Sequence, residues 1–345
     1  MMESCTHLSL RLMNKSKTYL LVVVVVVLSI TVLGVVKAAY RPLDFSNTES
    51  FQVSPGTTLY GLTRTLNEDH LQIPSWLFLF LARFTSYQGP ILAGEYAVHS
   101  ELNSLELLTL LRKGVTVQRA VTFVEGWTFL QWRSHLSEQR YIGQDSAVLT
   151  GEEIMQRVGQ ADTATQISPE GWFFPDTYFY SAGDSDLDIL QRAHKAMLQQ
   201  LQAAARKRSE DTQLDRYQVL ILASMVEKES GYSSDRNKIA AVFLNRLRQG
   251  MRLQSDPTVI YGLGDEFDGN LVRADLMGDT AHNTYVRKGL PPTPICMPGR
   301  SSIDAVMNPA KVDFLYFVAR GDGSSEFSMT LKAHNRAVRR YQMNN

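Results

Sequence analysis

Hydrophobic and polar residues change their pattern several times along the chain, and each change predicts a different element. The first is a run without charge or proline, TYLLVVVVVVLSITVLGVV, from Thr18 to Val36. About 20 apolar residues in a helix are enough to cross the hydrocarbon core of a membrane. We therefore expect a transmembrane helix over residues 18–37, preceded by a cytoplasmic tail over residues 1–17.

The charges around this run predict its orientation. Arg11, Lys15 and Lys17 precede it, and basic residues favour the cytoplasmic side of a membrane. The rest of the chain is then expected outside the cytoplasm. A cleaved signal peptide is the rival interpretation, since Ala38 and Ala39 are small. The run is, however, longer than the roughly 7 to 15 apolar residues of such a peptide.

After the apolar run, short patterns predict a small unit of strands and helices. Residues 38–48 are expected to form a linker. In FQVSPGTTLYGL a strand pattern meets a Pro-Gly turn, after which leucines recur at helical spacing. A second strand around Gly94–Val98 is followed by a helix that Gly114 ends. This order predicts a strand–helix–helix–strand unit within residues 49–115.

The remainder of the chain, residues 116–345, predicts a mixed α/β domain, so the fold class is α+β. A strand leads into a helix at Glu125–Thr128. The segment SPEGWFFPDTYFYSAGDS, Ser168–Ser185, predicts an ordered loop because it contains proline and lacks periodicity. Residues 187–207 predict an amphipathic helix.

The segment LASMVEKES contains the main candidates for chemistry. An apolar run ends there in Glu227 and Glu229, which point about 200° apart on a helix. One carboxyl group can thus enter a cleft while the other meets solvent or a cation. Desolvation raises the pKa of a carboxyl group, as a general acid for glycosidic cleavage requires. Spacing alone leaves open a helix that simply reaches water at Glu227.

Two polar loops downstream suit sugar hydroxyl and acetamido groups. The first precedes a proline, where a helix is disfavoured and side chains project from extended backbone. The second precedes a segment with four prolines. Ordinary loop capping is the other interpretation of each residue. The candidates are Gln254, Ser255, Asp256, Asn283 and Tyr285.

Composition adds few constraints. The 345 residues include 35 basic and 35 acidic ones, so no nucleic-acid partner is indicated. Cys5 and Cys296 fall on opposite sides of the predicted membrane helix, and we expect no disulfide within the chain. The seven histidines show no HxxH or HExxH spacing. We expect neither a metal nor a cofactor.

Four motifs together resemble the YceG-like family, the endolytic murein transglycosylases. They are LASMVEKES, VFLNRLRQGMRLQSDPTVIYG, HNTYVRKGLPPTPI and YFVARGDG, with support from EGWFFPDTY and AGEYAV. The resemblance implies a LysM-like subdomain over residues 49–115, for which VSPGTTLYGL is the signal, and a catalytic domain over residues 116–345. It also implies a single-pass anchor in the cell inner membrane, a periplasmic catalytic domain and peptidoglycan as substrate.

The resemblance further implies a catalytic residue and a reaction. The family's catalytic glutamate is the first of the pair in its VEKE motif, here Glu227. Glu227 would protonate the oxygen that joins N-acetylmuramic acid to N-acetylglucosamine and then deprotonate the C6 hydroxyl, which leaves a 1,6-anhydro end. Cleavage of nascent strands beside peptidoglycan synthases would limit strand elongation. The chain departs from the family pattern at His282, Cys296 and Glu326.

Two other functions remain open. A lysozyme-like muramidase would hydrolyse the same bond with Glu227 and a second carboxylate, for which Asp256, Glu229 and Glu170 are the local candidates. A non-catalytic, membrane-tethered scaffold would bind glycan through the LysM-like part alone. The candidate substrate-binding residues are Glu170, Gln254, Ser255, Asp256, Tyr261, Asn283 and Tyr285.

Overall fold

The chain forms two compact units, residues 1–118 and residues 119–345, here called unit 1 and unit 2. The computed structural model describes residues 3–45, 49–68, 75–84, 89–99, 101–159, 168–209, 213–231 and 233–342. Helices and short antiparallel strand pairs are present in both units. The mixed helix and strand content agrees with the predicted fold class.

Unit 1 begins with one long helix and continues with short elements. They are α1 (Glu3–Ala39), β1 (Ser50–Val53), α2 (Leu59–Glu68), α3 (Ser75–Phe84), β2 (Gly94–Ala97) and α4 (Ser104–Lys113). Strands β1 and β2 pair antiparallel, with Phe51 opposite Tyr96. The predicted strand–helix–helix–strand order is confirmed. Gly114 ends α4 with a φ of 67°, which glycine adopts without steric cost.

Helix α1 contains the apolar run. Its part Thr18–Ala39 is long and apolar enough to cross a membrane, by length and composition. The helix begins at Glu3, so it also includes most of the predicted tail. The helix is confirmed, whereas its orientation and its role as an anchor stay predictions.

The predicted linker needs a correction. Leu43 and Phe45 are 7% and 4% exposed and belong to the hydrophobic core of unit 1. The backbone N–H of Leu43 donates to the carbonyl oxygen of Leu102 at 2.9 Å. Leu43 and Phe45 are therefore part of the folded unit, because their apolar side chains are buried on folding. Residues 46–48 of the predicted linker lie outside the described residues.

Unit 2 is mostly helical. Its elements are β3 (Arg119–Thr122), α5 (Phe129–Ser137), α6 (Gly151–Arg157), β4 (Thr177–Tyr180), α7 (Asp186–Ala205), α8 (Arg216–Glu229), α9 (Arg236–Arg248), α10 (Asp256–Leu263), α11 (Arg273–Met277), α12 (Arg300–Met307), β5 (Tyr316–Ala319), β6 (Ser325–Ser328) and α13 (Leu331–Gln342). Strand β3 pairs antiparallel with β4, and β5 pairs antiparallel with β6. The predicted strand-to-helix transition is confirmed, since Thr128 caps α5.

The aromatic segment Ser168–Ser185, which the sequence predicts as a loop, contains the strand β4. Tyr178 and Tyr180 are buried, while Thr177 and Phe179 are exposed. This alternation over four residues is the strand period. It is too short to stand out in a segment rich in proline and aromatic residues, and the pairing with β3 stabilises it.

Helix α8 carries both glutamates at its C-terminal end. Residues 219–226 are buried, and the helix packs against α9 and α12. At its start, the Asp215 carboxylate accepts a hydrogen bond from the backbone N–H of Gln218 at 2.8 Å. The helix ends after Glu229 because Ser230 is extended, with φ −95° and ψ 109°. Both glutamates thus lie where the helix leaves the core.

The loop before Pro257 has the predicted extended backbone at Ser255, with φ −106° and ψ 118°, but not at the residues on either side of it. Helix α10 begins at Asp256; a proline in the first turn is tolerated, because the N–H that it lacks has no helical partner there. Gln254 has a φ of 50°, the only positive φ outside glycine in the described part of the chain. Its neighbours Leu253 and Ser255 are 0% and 1% exposed, which holds Gln254 in this conformation.

Candidate active site

Glu229, the last residue of α8, lies in a groove with a volume of about 520 Å³. The groove is lined by Glu229, Arg246, Gln254, Asp256 and Tyr285 and by residues of β5 and α13. We call it the Glu229 groove. It brings one carboxyl group from the core helix together with the two polar loops predicted to bind sugar.

Ser255 holds the carboxyl group of Glu229 in place. Its hydroxyl donates to Glu229 Oε1 at 2.6 Å. Ser255 is the N-cap residue of α10, yet it makes no side-chain capping bond, although serine at this position usually accepts from the first turn of the helix. Its hydroxyl therefore binds the carboxyl group of Glu229 and does not cap the N-terminus of α10.

Burial raises the pKa of Glu229 to about 7. The Ser255 hydrogen bond lowers this pKa, the negative charge of Asp256 raises it, and the positive charge of Arg246 lowers it. A carboxyl group with such a pKa is partly protonated at neutral pH. Glu229 can thus donate a proton and, once ionised, accept one.

Asp256 and Tyr285 form a polar pair in the Glu229 groove. The Tyr285 hydroxyl donates to Asp256 Oδ1 at 2.5 Å. Burial, together with this hydrogen bond, raises the pKa of Tyr285. The pair links the first residue of α10 to the loop around residue 285, so both predicted sugar-binding segments are positioned against each other.

Arg246 supplies a buried cation and ties the groove together. Its Nε donates to the carbonyl oxygen of Leu315 at 2.6 Å, and its Nη1 donates to that of Leu253 at 2.7 Å. Its guanidinium carbon lies 5.2 Å from the ring centroid of Tyr316. One side chain from α9 therefore connects the Gln254 loop to the start of β5.

Glu227 occupies a different environment from Glu229. Its Oε1 accepts from Nη2 of Arg236 at 3.0 Å. Its Oε2 accepts from the backbone N–H of Gly299 at 2.9 Å and from the Ser302 hydroxyl at 2.7 Å. The side chain is 6% exposed and does not line the Glu229 groove. Three donors, one of them charged, hold the Glu227 side chain in place, and it joins α8 to α9 and to the start of α12.

The assignment of Glu227 as the acid stays a prediction, and this geometry argues against it. The carboxyl group of a general acid must reach the substrate. Both oxygens of Glu227 already accept hydrogen bonds from protein donors.

Four of the predicted binding residues also do not line the Glu229 groove: Glu170, Ser255, Tyr261 and Asn283. Glu170 is 4% exposed; it accepts from the backbone N–H of Phe129 at 3.1 Å and from the Tyr261 hydroxyl at 3.2 Å. Burial raises the pKa of Glu170 to about 7 as well, so a raised pKa alone does not identify the acid. Accessibility separates the two, because only Glu229 faces the groove.

Asn283 holds its own loop together. It is 0% exposed, and its Nδ2 donates to the carbonyl oxygens of Asp275, Leu276 and Gly278 at 3.2, 3.2 and 2.7 Å. Its Oδ1 accepts from the backbone N–H of Tyr285 at 2.8 Å. Asn283 therefore orients the Tyr285 loop, and its side chain has no free group for a sugar.

The departures from the family pattern have ordinary partners. His282 Nε2 lies 2.8 Å from Thr293 Oγ1, and Glu326 forms an ion pair with Arg320. Cys296 is fully buried, with its Sγ 3.4 Å from the carbonyl oxygen of Ser224. In the described part of unit 2, no three His, Cys, Asp or Glu residues lie close enough together to hold a metal ion.

Comparison with known proteins places these residues in a family. The sequence model of the YceG-like family matches residues 51–340. The chain belongs to the YceG-like family. The match covers residues 51–118 of unit 1 and every residue of the Glu229 groove except Gln342, and it confirms the family that the motifs predict.

This YceG-like chain is similar to named relatives and to a solved structure. It is 29% identical over 315 residues to an endolytic murein transglycosylase of Bacillus subtilis, which covers 86% of each chain. An endolytic murein transglycosylase of Streptococcus pneumoniae is 26% identical, and the alignment spans 86% of this chain and 59% of that longer protein. The crystal structure of a yceG-like protein from Listeria monocytogenes aligns with a TM-score of 0.55 and 27% identity, over 83% of this chain and 98% of that chain.

Sequence reasoning about this YceG-like chain missed part of the groove. Arg246 lies within a family motif, but nothing in its local pattern distinguishes it from the other arginines of α9. The groove-lining residues of α13 carry no motif at all. For Glu229 the signal was partial, since the helical spacing shows that only one of the two glutamates can enter a given cleft but not which one.

Proposed function

We propose that this YceG-like chain is a peptidoglycan lytic transglycosylase and that Glu229 is its general acid and base. The observation that carries the assignment is the Glu229 carboxyl group itself, which has a pKa of about 7 and lines a polar groove. The relatives named endolytic murein transglycosylases support the reaction class.

The proposed reaction uses one carboxyl group twice. Protonated Glu229 donates its proton to the oxygen that joins N-acetylmuramic acid to N-acetylglucosamine, and the bond from that oxygen to C1 of muramic acid breaks. The acetamido group of the same sugar and the polar side chains of the groove stabilise the positive charge that develops. Ionised Glu229 then takes the proton of the C6 hydroxyl, whose oxygen bonds to C1 and closes a 1,6-anhydro ring.

Asp256 is the residue that would allow hydrolysis of the same bond as an alternative reaction. It shares the groove with Glu229, and a hydrolase of the lysozyme type would use a second carboxylate as a nucleophile or to activate water. We favour the transglycosylase because Asp256 already accepts a hydrogen bond from Tyr285, which suits a residue that orients a loop or a sugar hydroxyl.

The location of the enzyme is part of the proposal. The apolar stretch Thr18–Ala39 is proposed as a single-pass anchor, with the N-terminus in the cytoplasm and unit 2 outside it. The strand–helix–helix–strand order of unit 1 supports a LysM-like, glycan-binding subdomain. An anchored enzyme reaches nascent strands near the membrane, so we propose that it acts beside peptidoglycan synthases and limits strand length.

Mass spectrometry of glycan products tests the reaction and the acid together. The full-length protein in detergent is incubated with nascent, uncrosslinked peptidoglycan. We expect 1,6-anhydro-muramic ends from the wild type and a loss of at least about a hundredfold in rate from Glu229→Gln, since this change removes the general acid. Reducing muramic ends without anhydro products would identify a muramidase. A wild type that binds strands but does not cleave them would indicate the scaffold.

Glu227→Gln is the matched comparison, because the same substitution is made two residues away on the same helix. It weakens the ion pair with Arg236, so we expect lower stability. Its cleavage rate at a temperature where it is folded should stay within about tenfold of wild type, because the residue acts only through positioning. Loss of cleavage in folded Glu227→Gln, combined with an active Glu229→Gln, would restore Glu227 as the acid.

A further inference from the structure

The C-terminal helix α13 forms a wall of the Glu229 groove that the proposed chemistry does not use. The residues that line the groove recur every three or four positions, which places them on one stripe of the helix. They are Leu331, His334, Asn335, Val338 and Gln342. At about 1.5 Å per residue the stripe extends for about 16 Å along the groove, long enough for more than one sugar residue.

The stripe differs in charge from the rest of α13. The helix carries Lys332, Arg336, Arg339 and Arg340, and none of these cations lines the Glu229 groove. Arg336 and Arg340 instead line a separate depression beside β6. A stripe without charge, on a helix so rich in cations, suits a neutral ligand better than a phosphate or a carboxylate.

The chemistry of the stripe matches an N-acetylated sugar. Asn335 and Gln342 are exposed, and each side-chain amide offers donors and an acceptor, which complement an acetamido group and hydroxyls. Between them, Val338 is half-buried and presents an apolar surface of the kind on which the C–H face of a sugar ring packs. Strand β5 lines the same wall.

The wall is held in a defined position. The rings of His334 and Tyr316 stack with centroids 5.3 Å apart and an interplanar angle of 25°. Tyr316 in turn lies against Arg246, which also binds the Gln254 loop through Leu253. His334 Nδ1 is buried and has no hydrogen-bond partner within the described residues. The stripe is thus fixed relative to Glu229 before any ligand binds.

We propose that the groove-facing stripe of α13 is a binding subsite for N-acetylated sugar residues of the glycan strand, in which Asn335 and Gln342 determine how tightly the strand is held across Glu229. The inference rests on the proposed function, because it assigns a sugar ligand to the same groove. It adds a specificity-determining element about 100 residues after the acid in the sequence, in a helix without a recognisable motif.

Binding to an inactive protein tests the subsite without relying on catalysis. In full-length Glu229→Gln, the affinity for glycan strands freed of their stem peptides is compared between two pairs of substitutions. Asn335→Ala with Gln342→Ala is expected to weaken binding about tenfold, as the loss of two hydrogen-bonding side chains predicts. Lys332→Ala with Arg339→Ala changes exposed residues of the same helix outside the groove and is expected to leave the affinity within about twofold.

A kinetic measurement separates binding from a structural effect. In the otherwise wild-type enzyme, the Asn335 and Gln342 pair should raise KM about tenfold while kcat and the pH profile stay unchanged, because neither residue is bonded to Glu229. Unchanged affinity and KM would overturn the inference, and so would equal losses from the control pair. Weaker binding only of strands that keep their peptides would reassign the stripe to the peptide. If Glu229→Gln still cleaves, the acid assignment fails, whereas the comparison of the two pairs in that background still decides the subsite.

Discussion

Replacing Glu229 by glutamine should make the folded protein more stable at pH 8 than the wild type, although it removes the proposed catalytic group. Burial raises the pKa of Glu229 from an ordinary 4.5 to about 7. Since each pKa unit corresponds to about 1.4 kcal/mol, the ionised side chain destabilises the fold by up to about 3 kcal/mol. Glutamine has nearly the same shape and carries no charge at any pH.

The sign follows from proton binding in the two states. Below pH 4.5 both the folded and the unfolded chain keep the proton, so ionisation contributes nothing. Between pH 4.5 and about 7 the unfolded chain loses the proton first, and the stability of the wild type falls as pH rises. Above about pH 7 both states are ionised, and the difference between variant and wild type reaches its plateau. The pKa of Glu170 is also raised to about 7. Because Glu170 is present in both proteins, its contribution cancels when the unfolding free energy of one is subtracted from that of the other.

Denaturant unfolding of both full-length proteins in detergent, from pH 4.5 to 8, measures this difference. Tryptophan fluorescence reports mainly on unit 2, which contains Trp127, Trp132 and Trp172 of the four tryptophans. The free energy of unfolding of Glu229→Gln minus that of wild type should rise by about 2 to 3 kcal/mol across this range. A difference that does not vary with pH would refute the buried, protonated Glu229. Glu227→Gln should instead be less stable than wild type at pH 8 by about 3 kcal/mol, since Arg236 loses its partner.

Three further changes have distinct expected outcomes. Ser255→Ala removes a hydrogen bond that lowers the pKa of Glu229, so the loss of cleavage at high pH should move to higher pH; an unchanged rate-against-pH profile would contradict this link. Gln254→Gly relieves the strain of a φ of 50° and should keep or raise the free energy of unfolding, by up to about 1 kcal/mol, while cleavage slows. Gln254→Ala, measured beside it, keeps the strained backbone and should be less stable than Gln254→Gly. Asn283→Ala leaves three carbonyl oxygens without their donor and should lower the free energy of unfolding by about 2 to 4 kcal/mol in a denaturant titration, in contrast to the small change expected of a sugar-binding residue on the surface.

Local patterns predicted the helix that carries both glutamates and several elements outside the groove. The apolar run of α8, the capping of α4 and α5 and the strand–helix–helix–strand order of unit 1 all depend on residues a few positions apart. Such interactions are already present in the sequence, since helix periods and caps involve only near neighbours. Strand β4 was not predicted, because its alternation of buried and exposed residues covers only four positions. The strand is stabilised by pairing with β3, about 55 residues earlier in the chain.

The choice between the two glutamates of α8 was beyond the sequence. Helical spacing shows that Glu227 and Glu229 face opposite ways, but not which of them meets the substrate. Arg236 and the start of α12 approach one side of the helix, and Ser255 approaches the other.

The sequence also did not show that α13 forms a wall of the groove, because this helix follows Glu229 by about 100 residues. Sequence by itself determined several of the helices, where the apolar anchor candidate lies and to which family the chain belongs. Only the tertiary structure decided which carboxyl group is desolvated and accessible, because desolvation depends on side chains that packing brings together from distant parts of the chain.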